Sequence, residues 1–172
     1  MTADELMVLD DEPNRHELIK GELLTMSPIG FPHARTTMNL AVLLVNFLRE
    51  NNLGVAVPEL GFILERNPDT VLGPDIAFIA HERLGTTPPG FFVGPPDLAV
   101  EVRSPSDSKP AVNRKTALWL ELGAKVVWNV DPRKRTVEVC RAGAEPKLFH
   151  EADELVDDIV PGFRVHVSEI FE

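Results

Sequence analysis

Two acids stand in runs that otherwise read as buried strands. Asp75 lies in Gly73-Pro74-Asp75-Ile76-Ala77-Phe78-Ile79, and Glu101 in Leu98-Ala99-Val100-Glu101-Val102-Arg103. An ionised carboxylate taken out of water without a partner costs on the order of several kcal/mol, so each needs a cation, a metal ion or a proton beside it. If the two strands are neighbours, the carboxylates converge. Oxygen donors with no accompanying Cys or His cluster suit Mg²⁺ or Mn²⁺ rather than zinc, and hydrolysis by metal-activated water is the sharpest chemistry for such a pair. Alternation along a strand also places Glu101 and Arg103 on one face, with Val100 and Val102 on the other.

A lysine sharpens this reading. The apolar stripe Ala111, Leu118, Trp119 and Leu122 defines a helix, and Lys115 falls on that stripe, four residues before Trp119. Either its stem snorkels to solvent, or the ammonium reaches Glu101 and Asp75 to orient water and offset phosphate charge. His33 opens the buried stripe of an earlier helix in the same way, where a structural or capping role competes with lining a site. Glu22 and Glu59 are further acids near strands, for which solvation is the plain reading. Ser104 and Ser106 have no GxSxG elbow around them, so a turn is their expected role. No GxGxxG or GxxxxGK[ST] pattern proposes a nucleotide site.

The elements that must position these groups can be read in order. Glu17 to Met26 forms a hairpin turning near Lys20-Gly21, after an acidic, frayed start. A helix runs from about Pro32 to Asn51, with Leu40, Ala41, Leu44, Phe47 and Leu48 on its buried side. Strands follow at Val55–Leu64, Asp75–Ile79, Leu98–Arg103 and Val126–Val130, with a Gly- and Pro-rich loop from His81 to Pro96. The second helix spans Pro110 to Leu122 and stops at Gly123. Arg135–Arg141, Lys147–His150 and Phe163–Val167 read as a peripheral antiparallel region. This pattern predicts an α/β fold with a mixed central sheet flanked by helices, residues 1–15 being an N-terminal extension and 16–172 a single domain.

Composition bounds the function. The 172 residues carry 17 Lys and Arg against 27 Asp and Glu, a formal charge of −10, which argues against a protein devoted to tight non-specific nucleic-acid binding. Any such substrate must be handled locally, and Arg114-Lys115 and Arg133-Lys134-Arg135 are the small basic groups able to do so. No run of apolar residues approaches a membrane span, and the acidic beginning is unlike a signal peptide, so the cytoplasm is the expected compartment. The one cysteine, Cys140, sits in a strand-like run and is expected to pack in the core.

The order and spacing of His16-Glu17-Leu18-Ile19-Lys20-Gly21-Glu22-Leu23, Met26-Ser27-Pro28, His33, Pro74-Asp75, Pro96-Asp97-Leu98-Ala99-Val100-Glu101-Val102, Ser104-Pro105-Ser106, Lys115 and Val127-Trp128-Asn129-Val130-Asp131-Pro132 closely resemble the Uma family of restriction-endonuclease-like proteins, within the PD-(D/E)xK nuclease superfamily. That resemblance covers about His16 to Phe171. It implies a restriction-endonuclease-like core, a Mg²⁺- or Mn²⁺-dependent phosphodiesterase site acting on DNA, and a homodimer. By position, Asp75 and Glu101 would hold the metal, joined by the backbone carbonyl of Val102. The chain departs from the superfamily pattern two residues after Glu101, where the expected lysine is Arg103, a poor base because it stays protonated. The resemblance implies that the lysine has moved to Lys115, with Arg103 contacting either Glu101 or the scissile phosphate, and His33 lining the site. Two other readings remain: a nuclease-fold binding or assembly module without catalysis, and a buried ionic cluster in which Arg103 and Lys115 replace any metal.

Overall fold

The computed structural model describes residues 1–9, 14–85 and 89–172. Its centre is a six-stranded mixed sheet in the order β11-β10-β9-β8-β6-β3, built from β3 (Gly54–Pro58), β6 (Ile76–Ala80), β8 (Leu98–Val102), β9 (Val126–Asp131), β10 (Thr136–Cys140) and β11 (Lys147–His150). Only β8 and β9 are parallel within it. A parallel pair needs a crossover, and helix α3 (Lys109–Glu121) supplies it. Ser108 caps that helix by accepting the Ala111 N–H, and Pro110 sits in its first turn, where a missing N–H costs nothing.

Helix α2 (Phe31–Asn51) covers one face of the sheet. Its buried Leu40, Leu44 and Leu48 recur every fourth residue and join Phe78, Leu98, Val100 and Trp128 in the larger core. On the opposite face Trp119 of α3 is fully buried with Ala99 and Val127. The same cluster reaches Phe62 and Leu72 of a second, five-stranded sheet, ordered β2-β1-β5-β4-β7. That sheet comprises β1 (His16–Ile19), β2 (Glu22–Thr25), β4 (Phe62–Glu65), β5 (Thr70–Leu72) and β7 (Phe92–Val93). A small pair, β12 (Glu154–Val156) with β13 (Arg164–His166), and the short helix α4 (Val167–Ile170) complete the fold at the periphery. Cys140 is buried. Among the described residues no helix is long and apolar enough to cross a membrane.

Several boundaries differ from expectation for identifiable reasons. The strand expected over Val55–Leu64 is two strands in different sheets. Pro58 ends β3, and Glu59 then adopts φ +51°, a left-handed turn that carries the chain from one sheet to the other. The start of the chain is not frayed. Thr2 and Glu5 form a reciprocal capping box for helix α1 (Ala3–Val8), whose Ala3 and Leu6 are buried with Leu18, Ile63 and Val71. The His81–Pro96 loop contains a 3₁₀ turn at His81–Arg83 and the strand β7, paired with β4; residues 86–88 of that loop lie outside the described residues. β10 and β11, expected at the periphery, extend the central sheet.

One backbone approach is tight enough to test the β3–β6 pairing. Gly54 has φ +146°, and a Cβ there would lie 2.2 Å from the Ile79 carbonyl oxygen. Gly54→Ala is expected to lower unfolding stability by roughly 2–4 kcal/mol, against about 1 kcal/mol for Gly143→Ala, where the left-handed φ is the main penalty. Urea midpoints of the two variants measure the difference; equal shifts would contradict the register.

Candidate active site

The antiparallel β6–β8 register pairs Ile76 with Val100, so Asp75, one residue before β6, arrives opposite the end of β8. There its Oδ2 accepts the Val102 N–H at 2.7 Å, a donor lying just past the last β6 partner. The same oxygen lies 3.3 Å from His33 Nε2, and Oδ1 lies 3.3 Å from Arg15 Nη1. Burial pushes the Asp75 carboxyl up, but His33, the Val102 N–H and Arg15 outweigh it and hold the group below the usual aspartate value. For His33 burial favours the neutral ring, yet Asp75 and a hydrogen bond to the Val102 carbonyl raise its pKa above the ordinary 6.5. The carbonyl expected as a metal ligand therefore already meets an imidazole.

Lys115 turns inward from α3, its ammonium 3.1 Å from Glu101 Oε2 and 3.2 Å from Glu17 Oε1. Glu101 Oε1 accepts the indole N–H of buried Trp119 at 2.7 Å. Glu17 Oε1 also accepts the Gly73 N–H at 3.1 Å, tying β1 to the turn that delivers Asp75. Burial raises the Glu101 carboxyl to about 7; Lys115 opposes that shift, while the charges on Asp75 and Glu17 add to it. Burial works against the Lys115 ammonium, but Glu101 and Glu17 more than compensate and raise its pKa. The two shifts have different leading causes: burial lifts Glu101, and the paired carboxylates lift Lys115.

Arg103 has a different partner from the one expected. Its N–H continues the ladder to the Val130 carbonyl at 2.8 Å, and the guanidinium meets the next residue of that neighbouring strand, Asp131, at 2.8 Å and the Asp107 carbonyl at 3.0 Å. It does not pair with Glu101, although it still lines the same cleft. This cleft, about 470 Å³, is bordered by Arg15, His33, Asp75, Glu101, Arg103 and Lys115. Glu59 is half exposed and holds Arg15 at 3.2 Å, whereas Glu22 is exposed on β2. Ser104 donates its N–H to Asp107 in the turn before α3.

Three contributors were not anticipated: Glu17, Arg15 and Trp119. Glu17 carried a readable signal, since it is an acid within the short strand His16–Ile19, the same anomaly that marked Asp75. Trp119 was placed in the core, but nothing in its spacing indicated that its N–H would serve Glu101. Arg15 precedes β1 with no periodic pattern to orient it.

The donor set suits a hard divalent cation in chemical type. Asp75, Glu101 and the Val102 carbonyl offer oxygens only, and the Glu101 carboxyl, buried and beside the charges of Asp75 and Glu17, would gain from a further cation. The pH dependence follows from the signs of the shifts. Between about 4.5 and 7 the folded chain keeps a proton on Glu101 that the unfolded chain has released, so Glu101 makes stability fall as pH rises through that window. The stability due to His33 is complete below 6.5 and is lost as pH rises through its elevated folded pKa, the same direction. Denaturant midpoints are expected to decline from about pH 5 toward pH 8, and Glu101→Gln should flatten the decline; a midpoint that rises over this range in the native chain would contradict the charge balance.

The model of the Uma2 family, described as "Putative restriction endonuclease", matches residues 3–168. The fold superposes on the crystal structure of a putative nuclease belonging to DUF820 from Anabaena variabilis with a TM-score of 0.84, covering 99% of this chain and 97% of that one at 21% sequence identity. At that identity the likeness shows a shared fold. No curated protein matches the chain. With the family match running over nearly its whole length, through the hairpin, both helices and the acid-bearing strands, the chain belongs to the Uma2 family.

Proposed function

We propose that the protein is a Mg²⁺- or Mn²⁺-dependent endonuclease that hydrolyses phosphodiester bonds in DNA. The observation that carries this reading is the convergence, in one open cleft, of Asp75 and Glu101 from neighbouring strands with Lys115 from the crossover helix. Asp75 and Glu101, with the Val102 carbonyl, would hold the cation, which when bound lowers the pKa of water and offsets phosphate charge. Lys115 keeps its proton, because two carboxylates stabilise the ammonium, so its role is to donate: it orients water or a phosphate oxygen and does not act as the base. The Trp119 indole N–H and the Gly73 N–H fix the two carboxylate partners of that ammonium, Glu101 and Glu17. His33 holds Asp75 in place, and Arg103, anchored by Asp131, presents a fixed cation at the cleft wall for a phosphate.

A second reading has its own observation. Every oxygen of Asp75 and Glu101 already meets a protein donor, and among the described residues no three His, Cys, Asp or Glu side chains stand ready as a metal cluster. In that reading the cleft is a self-neutralised ionic cluster on a non-catalytic binding module.

Supercoiled-plasmid nicking in Mg²⁺ or Mn²⁺ tests the enzyme reading. Asp75→Asn and Lys115→Ala are each expected to reduce the rate by at least about 100-fold, and Arg103→Ala by roughly tenfold. Activity that survives both of the first two substitutions would overturn the assignment. Isothermal titration adds a readout independent of catalysis: Mn²⁺ binding that disappears in Asp75→Asn favours the metal site, and no binding by the native chain favours the ionic cluster.

A further inference from the structure

We propose that the rim formed by the N-terminal half of α3 and the β9–β10 turn is the docking surface for the phosphate backbone on one side of the bond to be cut, the side that crosses β9; this rests on the nuclease reading above. The sequence around these segments is unusual for an acidic chain. From Ser108 to Leu120 there is no Asp or Glu, and from Pro132 to Val137 there is none, although the chain has 27 acids in 172 residues. Between them these segments carry Lys109, Arg114, Arg133 and Lys134, all exposed and, among the described residues, without a carboxylate partner. The one further cation of the turn, Arg135, is committed to Glu151 at 2.6 Å.

Topology puts these charges beside the cleft. Strands β8 and β9 are parallel and in register, Val102 beside Val130, so both end at the same edge of the sheet. α3 begins shortly after one end, and the basic turn begins at the other. Adjacent strands lie about 4.8 Å apart, so the turn that opens β10 stands roughly 10 Å along the sheet edge from Glu101 on β8. That is a few nucleotides of backbone. Asp131 links the turn to the cleft. Its Oδ1 accepts the N–H groups of Arg133 and Lys134, at 3.0 and 3.1 Å, while its Oδ2 holds Arg103. One carboxylate thereby fixes the cleft-wall guanidinium and the backbone from which the two outer side chains project. α3 packs over β9, so Lys109 and Arg114 lie with Arg133 and Lys134 on the β9 side of the Asp75–Glu101 pair, and a strand leaving the cleft across β9 would meet all four.

The test separates docking from cutting. Fluorescence anisotropy with a labelled DNA duplex, in EDTA and with Asp75→Asn as host, measures affinity across a salt series while nicking by the native chain is measured separately. Arg133→Gln/Lys134→Gln and Lys109→Gln/Arg114→Gln are each expected to weaken binding by about tenfold at 0.1 M salt and to reduce the slope of log K against log salt by about 2, since each lost phosphate contact removes about 0.9. Arg49→Gln/Lys147→Gln serves as the control. Arg49 lies in the last turn of α2, roughly 24 Å along the helix from His33, and Lys147 pairs with Val139 toward the far end of β10; this double variant should bind as its host does. Equal weakening by all three pairs, or none by any, would overturn the docking surface even if nicking persists. Failure of nicking together with rim-dependent binding would overturn the catalytic reading instead. Absence of any binding to duplex or single-stranded DNA would overturn the surface outright.

Discussion

The Lys115 ammonium is the joint on which the cleft depends. It lies on the crossover helix, yet its two partners come from different sheets, Glu17 from β1 and Glu101 from β8. Among the described residues no other charged side chain of α3 forms an ion pair with both sheets. Removing it would leave two largely buried carboxylates facing one another, a loss of about 3–5 kcal/mol by analogy with other broken buried pairs. Even with it in place the balance is incomplete, because Asp75 stands close enough to raise Glu101 further. The excess of negative charge is thus built into the packing, with Trp119 and the Gly73 N–H holding the carboxylates where they would otherwise move apart.

Asp75 solves a different problem. A strand that begins one residue late leaves the Val102 N–H on its neighbour unpaired, and a buried unpaired amide is costly. The Asp75 side chain takes that N–H and so substitutes for a missing backbone partner. Its second oxygen remains directed at Arg15 and the cleft. Structural and chemical demands therefore fall on the two oxygens of one carboxylate, which explains how an acid persists at the start of a strand whose following residues, Ile76 to Ile79, are buried.

How much of this was legible in the sequence depends on whether a periodic element fixed the side chain. Asp75 and Glu101 stood out because charge interrupts an apolar run, and Lys115 because 3.6-residue spacing put it on the stripe that ends at Trp119. The α/β class and the helices followed from the same regularities. Alternation put Arg103 on the face of Glu101, and both line the cleft, but the guanidinium pairs with Asp131 because the parallel neighbour, invisible to local periodicity, places that carboxylate beside it. The Val55–Leu64 run looked continuous because its apolar character continues through Leu60, and only the positive φ of Glu59 breaks it. Glu17 and Arg15 depend on contacts across 98 and 60 residues of sequence, to Lys115 and Asp75, and no local pattern encodes those.

The same separation of local from global applies to charge. A formal charge of −10 repels a polyanion at long range, but at physiological ionic strength the Debye length is about 8 Å, so a phosphate at the sheet edge responds mainly to groups within that distance. What it meets there is the exposed rim of Lys109, Arg114, Arg133 and Lys134, with the neighbouring Asp131 and Glu151 already paired to Arg103 and Arg135. The carboxylates of the cleft lie just inside that rim and become tolerable to a phosphate only when their negative charge is matched. Burial, with the neighbouring charges of Asp75 and Glu17, holds Glu101 near 7 even though Lys115 opposes the shift. The basic rim can hold flanking phosphates without a cation, whereas the acidic floor repels the phosphodiester to be cut until additional positive charge enters the cleft, so cation binding governs entry of the scissile group and not docking at the rim.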